Sequence, residues 1–115
     1  MKKRIDEEMY IEIFKDIIRD NNDYGDKSKV RKHNAAATKI AKLIKVVEED
    51  KEYLSQMYLN LLNNQDEMIR HWVASDCLNK KVNEDKAVEI LKQIAKNNPD
   101  KEFFVNLVLK QHNKL

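Results

Sequence analysis

A chain of 115 residues with a single glycine and a single proline can make few tight turns. Sheet proteins reverse direction every few residues, and those reversals draw on glycine and proline. Their scarcity here points to helices. A helix needs an apolar stripe at the 3.6-residue period, and the middle of the chain carries two. From Lys51 to Leu62, Tyr53, Leu54, Met57, Tyr58, Leu61 and Leu62 share one arc. From Met68 to Leu78, Met68, Ile69, Trp72, Val73 and Cys77 repeat the stagger. Asn63, Asn64 and Gln65 interrupt the pattern between them. Asp66 follows, placed to accept the free amides of the second helix as its N-cap.

The same test finds helices on either side. The first runs from Ile5 to Asn21, with Tyr10, Ile11, Ile13, Phe14, Ile17 and Ile18 inward. Its other face carries Glu8, Glu12, Asp16 and Asp20 at four-residue steps, which an unbroken helix stacks into an acidic ridge. The polar run from Asp20 to Lys29 superficially resembles a calcium loop. Tyr24 and Arg31 stand at its fifth and twelfth positions, where an oxygen ligand and a bidentate glutamate are required. A linker is expected instead, with Gly25 at positive φ. The next helix spans Lys27 to Val47. Val30, Asn34, Ala37, Ala41 and Ile44 face inward, with His33, Ile40 and Val47 beside them. Arg31, Lys32, Lys39, Lys42 and Lys45 occupy the opposite arc, and the segment contains no acidic residue. A fifth helix runs from Glu84 to Asn97 behind Asn83 as N-cap, with Ala87, Val88, Leu91, Ile94 and Ala95 as its stripe. Asn98 and Pro99 open a sixth, to Gln111, that buries Phe103, Phe104, Leu107 and Val108.

This pattern predicts one all-α domain over residues 1–115, a compact α-α superhelix of about six antiparallel helices. With 37% charged residues the helices should be amphipathic. The balance of 22 basic against 20 acidic residues means that bulk charge does not select nucleic acid. Cys77 is alone, which excludes an internal disulfide and fits a reducing compartment. No apolar run approaches the roughly 20 residues that span a bilayer. The opening MKKRIDEEMY has no apolar signal core, so a cytoplasmic protein is expected. The abundance of lysine, asparagine and isoleucine fits an AT-rich bacterial genome.

Chemistry is hard to place on this sequence. His33, His71 and His112 have no metal spacing, and no second cysteine joins them. Cys77 lacks a base at a helical offset that converges on it, so it is expected in the core. Ser28, Ser55 and Ser75 sit in no nucleophile elbow, and one glycine builds no phosphate loop. No metal or cofactor is expected, and no enzymatic activity. Trp72 is expected in the core with its indole N–H satisfied. Asp76 falls within the apolar arc of its helix. A buried carboxylate needs a partner, and His33, Lys80 or a tyrosine hydroxyl are the choices, with a rim or cleft position as the alternatives.

The central segment LLNNQDEMIRHWVASDCL resembles the HEAT repeat: Leu61 and Leu62 on the first helix, Asp66 in the turn, Ile69 and Arg70, then Val73 and Ala74 on the second. From Lys27 to Val108, with Asn34 and Trp72, the chain also looks like a family of small stand-alone bacterial HEAT-like proteins of unassigned function. Asp76 departs from that pattern, where a small apolar residue is usual. The resemblance implies that Arg70 pairs with a turn aspartate or caps carbonyls, with partner contact as the alternative. It also implies binding of macromolecules through exposed helix faces, as in immunity proteins that block a toxin or in modules that grip DNA backbones.

The two ridges are the candidate binding residues: Glu8, Glu12, Asp16 and Asp20 on one helix, Arg31, Lys32, Lys39, Lys42 and Lys45 on the next, with Arg70 beside the turn. A protein partner is the expectation, of the immunity or inhibitor type in its most concrete form. Nucleic-acid backbone binding by the basic ridge is the alternative, although the ridge has one arginine and no interleaved aromatics.

Overall fold

Aspartates start the first four helices. Asp6 accepts the Met9 amide at 2.9 Å and opens α1, Glu7–Phe14. Asp26 accepts Ser28 and Lys29 at 2.9 and 3.3 Å and opens α2, Lys27–Val47. Asp50 takes the Tyr53 amide at 3.1 Å in the first turn of α3, Lys51–Leu62. Asp66 takes Met68 at 3.0 Å at the start of α4, Glu67–Lys80. Such a cap is typically worth about 1 kcal/mol. α5 (Glu84–Asn97) and α6 (Glu102–Gln111) complete the set, with short 3-10 helices at Asn21–Gly25 and Pro99–Lys101. The computed structural model describes residues 4–115, and among the described residues there is no strand. The chain is all-α. No helix among them is long and apolar enough to cross a membrane.

The chain divides into two compact units, Met1–Met57 and Tyr58–Leu115, with the boundary inside α3. In the first unit α1 packs on α2, and α2 meets the first 3-10 helix. Ile5, Tyr10, Phe14, Ile17 and Ile18 are buried there with Ala36, Ile40, Ile44 and Val47 of α2. The inward face of α2 is therefore rotated from the expected one, and Asn34 and Ala41 are exposed. Turning Ile40 and Val47 inward in their place buries more apolar area. Arg4 lies over the Tyr53 ring at 4.2 Å and reaches Asp50 at 3.0 Å, while the Tyr53 hydroxyl donates to the Ile5 carbonyl at 2.8 Å. The Arg4 guanidinium and then the Tyr53 amide hold the Asp50 carboxyl below its usual pKa.

The first helix is shorter than the expected Ile5–Asn21. After Phe14 the chain tightens through i→i−3 bonds from Lys15, Asp16 and Ile17 to Glu12, Ile13 and Phe14. The Ile18 amide, without a helical acceptor, donates to His33 Nδ1 of α2 at 2.9 Å. Continuing the helix would have run the β-branched pair Ile17-Ile18 into Asp20, Asn21, Asn22 and Asp23, all poor helix formers. Gly25 ends the 3-10 helix without positive φ, contrary to expectation. Among the described residues the left-handed ones are Lys81, Asn83 and Asn113.

In the second unit α4 packs on α5 and α5 on α6. Tyr58, Leu61 and Leu62 are buried, as are Ile69, Val73, Ala74, Cys77 and Leu78 of α4 and Ala87, Ile90, Leu91 and Ile94 of α5. Lys81 ends α4 in the left-handed region (φ 58°), and the Val82 amide reaches back to the Cys77 carbonyl at 3.0 Å. With Val82 buried this is a Schellman turn built without glycine. Asn83 is the N-cap of α5 as expected, but its side chain makes no capping bond.

Trp72 and the whole of α6 depart from their expected places. Trp72 is half-buried, at the edge of the stripe that Val73, Ala74, Cys77 and Leu78 centre. α6 turns the other way: Val105 and Leu109 are buried, while Phe103, Phe104 and Leu107 are 70%, 60% and 45% exposed and Val108 is half-buried. From Phe103 to Leu109 only Asn106 is polar, so the helix is apolar almost all round and its pattern defines no unique inward face.

Candidate functional site

The expected acidic ridge does not assemble, because α1 ends before its third member. Glu8 and Glu12 share α1, and Glu12 is paired with Lys15 at 2.7 Å. Asp16 lies in the following turn and lines a depression of about 320 Å³ with Lys15, Arg19, Lys29 and Lys32. Asp23 is also on that lining and binds Lys29 at 2.9 Å, so the hollow mixes both signs of charge. Asp20 faces the backbone, accepting the Asn22 amide at 2.9 Å as cap of the 3-10 helix.

The basic ridge does assemble. Arg31, Lys32, Lys39, Lys42 and Lys45 are all exposed on α2, opposite the buried arc of Ala36, Ile40, Ile44 and Val47. None of the five is ion-paired among the described residues. Lys29, on the same helix, is the cation that is neutralised, and its bond to Asp23 raises its pKa. Between the cations runs a strip of small and apolar side chains. Asn34, Ala35, Thr38 and Leu43 line an open depression of about 570 Å³ with Lys39 and Lys42. Val46, one turn on from Lys42, is 72% exposed. The face is thus an apolar seam bordered by positive charge.

Arg70 closes a turn. Its Nη1 donates to the Asn64 and Gln65 carbonyls at 2.8 and 2.9 Å, satisfying the acceptors between α3 and α4. Of the two structural placements expected for Arg70, pairing with a turn aspartate or capping carbonyls, it takes the second, which sets it apart from the cations of α2 in sequence and in role.

Asp76 finds two partners from the expected set. The Tyr58 hydroxyl, in a side chain only 1% exposed, donates to its Oδ2, and Lys80 lies 3.7 Å from Oδ1. The pairing with Tyr58 explains how a carboxylate is held beside the buried stripe of α4. Cys77 beside it is buried, and burial, then the Asp76 charge, push its thiol up to about 12. A thiol held protonated at neutral pH is no nucleophile. Among the described residues no group of His, Cys, Asp and Glu could hold a metal ion.

A third cluster escaped sequence reasoning. Lys101, just before α6, reaches Glu67 of α4 at 2.6 Å. That bond, with a further one from Asn98, lowers the Glu67 pKa. The half-buried His71, one turn along α4, is pushed below its ordinary value by burial and then by the Lys101 charge. The i, i+4 spacing of Glu67 and His71 was visible, but the cation that bonds Glu67 and opposes charge on His71 comes from 34 residues beyond Glu67.

No protein-family model, curated protein or solved structure matches this chain.

Proposed function

We propose that the chain is a non-enzymatic interaction module that receives an acidic protein partner on the exposed face of α2. One observation carries this: five cations without ion-pair partners among the described residues flank an apolar seam on a helix that contains no carboxylate. Lys39, Lys42 and Lys45 repel one another at three-residue steps, at roughly 0.2–0.5 kcal/mol per pair. An acidic surface laid along the seam removes the repulsion and covers Ala35, Leu43 and Val46. Charge at the rim then speeds encounter and sets register, while the seam supplies the apolar contact. Inhibition of the partner, in the manner of an immunity protein, is the most concrete form of the reading. The HEAT-like character of α3 and α4, with Asp66 as cap and Arg70 on the turn carbonyls, and a bacterial, cytoplasmic setting belong to the same proposal.

The unpaired cations also favour a second reading, in which α2 lies on a nucleic-acid backbone. Five phosphate contacts give log K against log salt a slope of roughly −4 to −5. The seam argues for protein, since phosphates have no use for Leu43 and Val46.

Native capture from the protein's own cells, with and without nuclease, separates the two. We expect a stoichiometric protein that survives nuclease, is lost with the Lys39→Glu/Lys42→Glu variant and is retained by Glu8→Lys/Glu12→Lys. Material that disappears with nuclease transfers the site to nucleic acid. Capture indifferent to charge reversal on α2 removes the helix from the interface.

A further inference from the structure

We infer that the partner received on α2 presents a single amphipathic α-helix, which seats an apolar side chain over Ala35 and Thr38 and sets carboxylates against the flanking cations. The inference rests on the reading of α2 as the face for an acidic protein. Arg31, Ala35, Thr38, Lys42 and Lys45 follow one another at alternating steps of four and three, and all are exposed. That is the 3.5-residue repeat by which one helix offers a straight seam to another. The seam runs opposite the buried arc of Ala36, Ile40, Ile44 and Val47, so a helix can lie on it without disturbing the core.

The spacing selects a helix. A side chain from a facing helix enters a hole between four residues at i, i+3, i+4 and i+7. Ala35, Thr38, Lys39 and Lys42 have that spacing, and all four line the open depression of about 570 Å³. Ala35 and Thr38 are short, which leaves the hole open. The aliphatic stems of Lys39 and Lys42 add apolar area to its wall while their ammonium groups stay in water. Leu43 and the exposed Val46 extend the apolar area on the Lys39 side.

Charge selects the sequence of that helix. Arg31 and Lys32 stand at one end of the seam, Lys39, Lys42 and Lys45 from its middle to the other end, and α2 holds no carboxylate to balance them. A second copy of α2 would be repelled along the whole length. α1 of another copy brings Glu8 and Glu12, but its Tyr10 and Phe14 are buried in its own unit and cannot fill the hole. An extended acidic segment or a phosphate backbone would satisfy the cations and leave the hole empty. A helix with apolar residues at every third or fourth position and Asp or Glu on both flanks meets the charge and the hole together.

The probe is a fluorescein-labelled synthetic peptide of about three heptads, with leucine at a and d, glutamate at e and g and alanine elsewhere. It is titrated with the full chain and followed by anisotropy, beside polyglutamate of equal length and duplex DNA. We expect saturable binding of the helix, at least tenfold tighter than either control. Ala35→Gln/Thr38→Gln fills the hole at exposed positions without changing charge, and should weaken binding at least tenfold with the circular dichroism spectrum unchanged. Lys39→Glu/Lys42→Glu should abolish it. In native capture the glutamine variant should lose the same protein as the charge reversal does. A helix bound no better than polyglutamate overturns the inference, and so does equal binding by wild type and the glutamine variant. If capture is then still lost on charge reversal, the acidic-partner reading stands and only the helix is removed. Binding and capture both indifferent to Lys39→Glu/Lys42→Glu overturn the two together. Duplex DNA bound more tightly than the helix gives the face to phosphates.

Discussion

α2 and α6 both turn a bare face outward, and they differ in what the neighbouring residues say about it. On α2 the outward arc carries Arg31, Lys32, Lys39, Lys42 and Lys45, and only one arc remained for the core. On α6 the outward arc carries Phe103, Phe104 and Leu107, side chains as apolar as the inward Val105 and Leu109. Charge marks exposure because a buried ion without a partner is too costly. Apolarity marks nothing by itself, since much of any folded surface is apolar. A charged helix thus announces its orientation, while a helix apolar all round leaves orientation to its neighbours.

The sharpest way to break this comparison is to truncate on each side of α6. Leu109→Ala removes a side chain 1% exposed and should destabilise by about 2–5 kcal/mol. Phe103→Ala, at 70% exposure, should stay within about 0.5 kcal/mol despite deleting a larger group. Urea unfolding of the two variants decides the matter. A large loss for Phe103→Ala would mean that α6 faces inward as its largest residues first suggest.

That outcome bears on how much of the fold can be read directly. α2 and α5 begin and end where periodicity, and for α5 the expected Asn83 cap, place them, at Lys27–Val47 and Glu84–Asn97. Asp66 and the break at Asn63–Gln65 likewise separate α3 from α4. These are local signals, and local signals survive folding. The end of α1 at Phe14 is different, because the amide freed at Ile18 is satisfied by His33 from another helix. Its effect on the candidate site is large: the four-carboxylate ridge existed only if the helix continued. The pairing of Asp76 with Tyr58 was within reach, since a carboxylate on an apolar arc demands a donor and tyrosines were few. The Lys101–Glu67 bond and the outward turn of α6 were not, because both depend on how α4, α5 and the chain before α6 meet.

The α2 side is sharpened by a smaller effect. If its cations repel one another without compensation, Lys42→Glu should stabilise the chain. It removes two like-charge contacts, with Lys39 and Lys45, and replaces them with attractive ones. At roughly 0.2–0.5 kcal/mol per pair the gain is on the order of 1 kcal/mol at low salt, shrinking as salt screens it. Thermal melts across a salt series measure it. The same variant should impair partner capture, so stability and binding would move in opposite directions. A destabilised Lys42→Glu would mean that the cations have local partners, and the case for a docking face on α2 would weaken.

The smallest effect concerns what anchors α6. Lys101 ties the start of that helix to Glu67, and the same cation faces His71. Burial and Lys101 both lower the His71 pKa, so the imidazole should titrate below the ordinary value of 6.5. The unfolded chain then binds the proton first, and this contribution to stability falls as pH drops below about 6.5. Glu67 acts further down: its contribution is present above the ordinary carboxylate range and is lost as pH falls through its lowered folded-state value. Lys101→Met should move the His71 midpoint upward, because the opposing cation goes and the Glu67 carboxylate remains beside it. The stability change should be no more than about 1 kcal/mol, since both partners are about a third exposed. Imidazole resonances followed through a pH titration read the shift directly. If His71 does not move, Lys101 does not hold Glu67 in solution. The outward face of α6 would then rest on Val105 and Leu109 alone, and rotation about that narrow contact would blur the difference between the two helices.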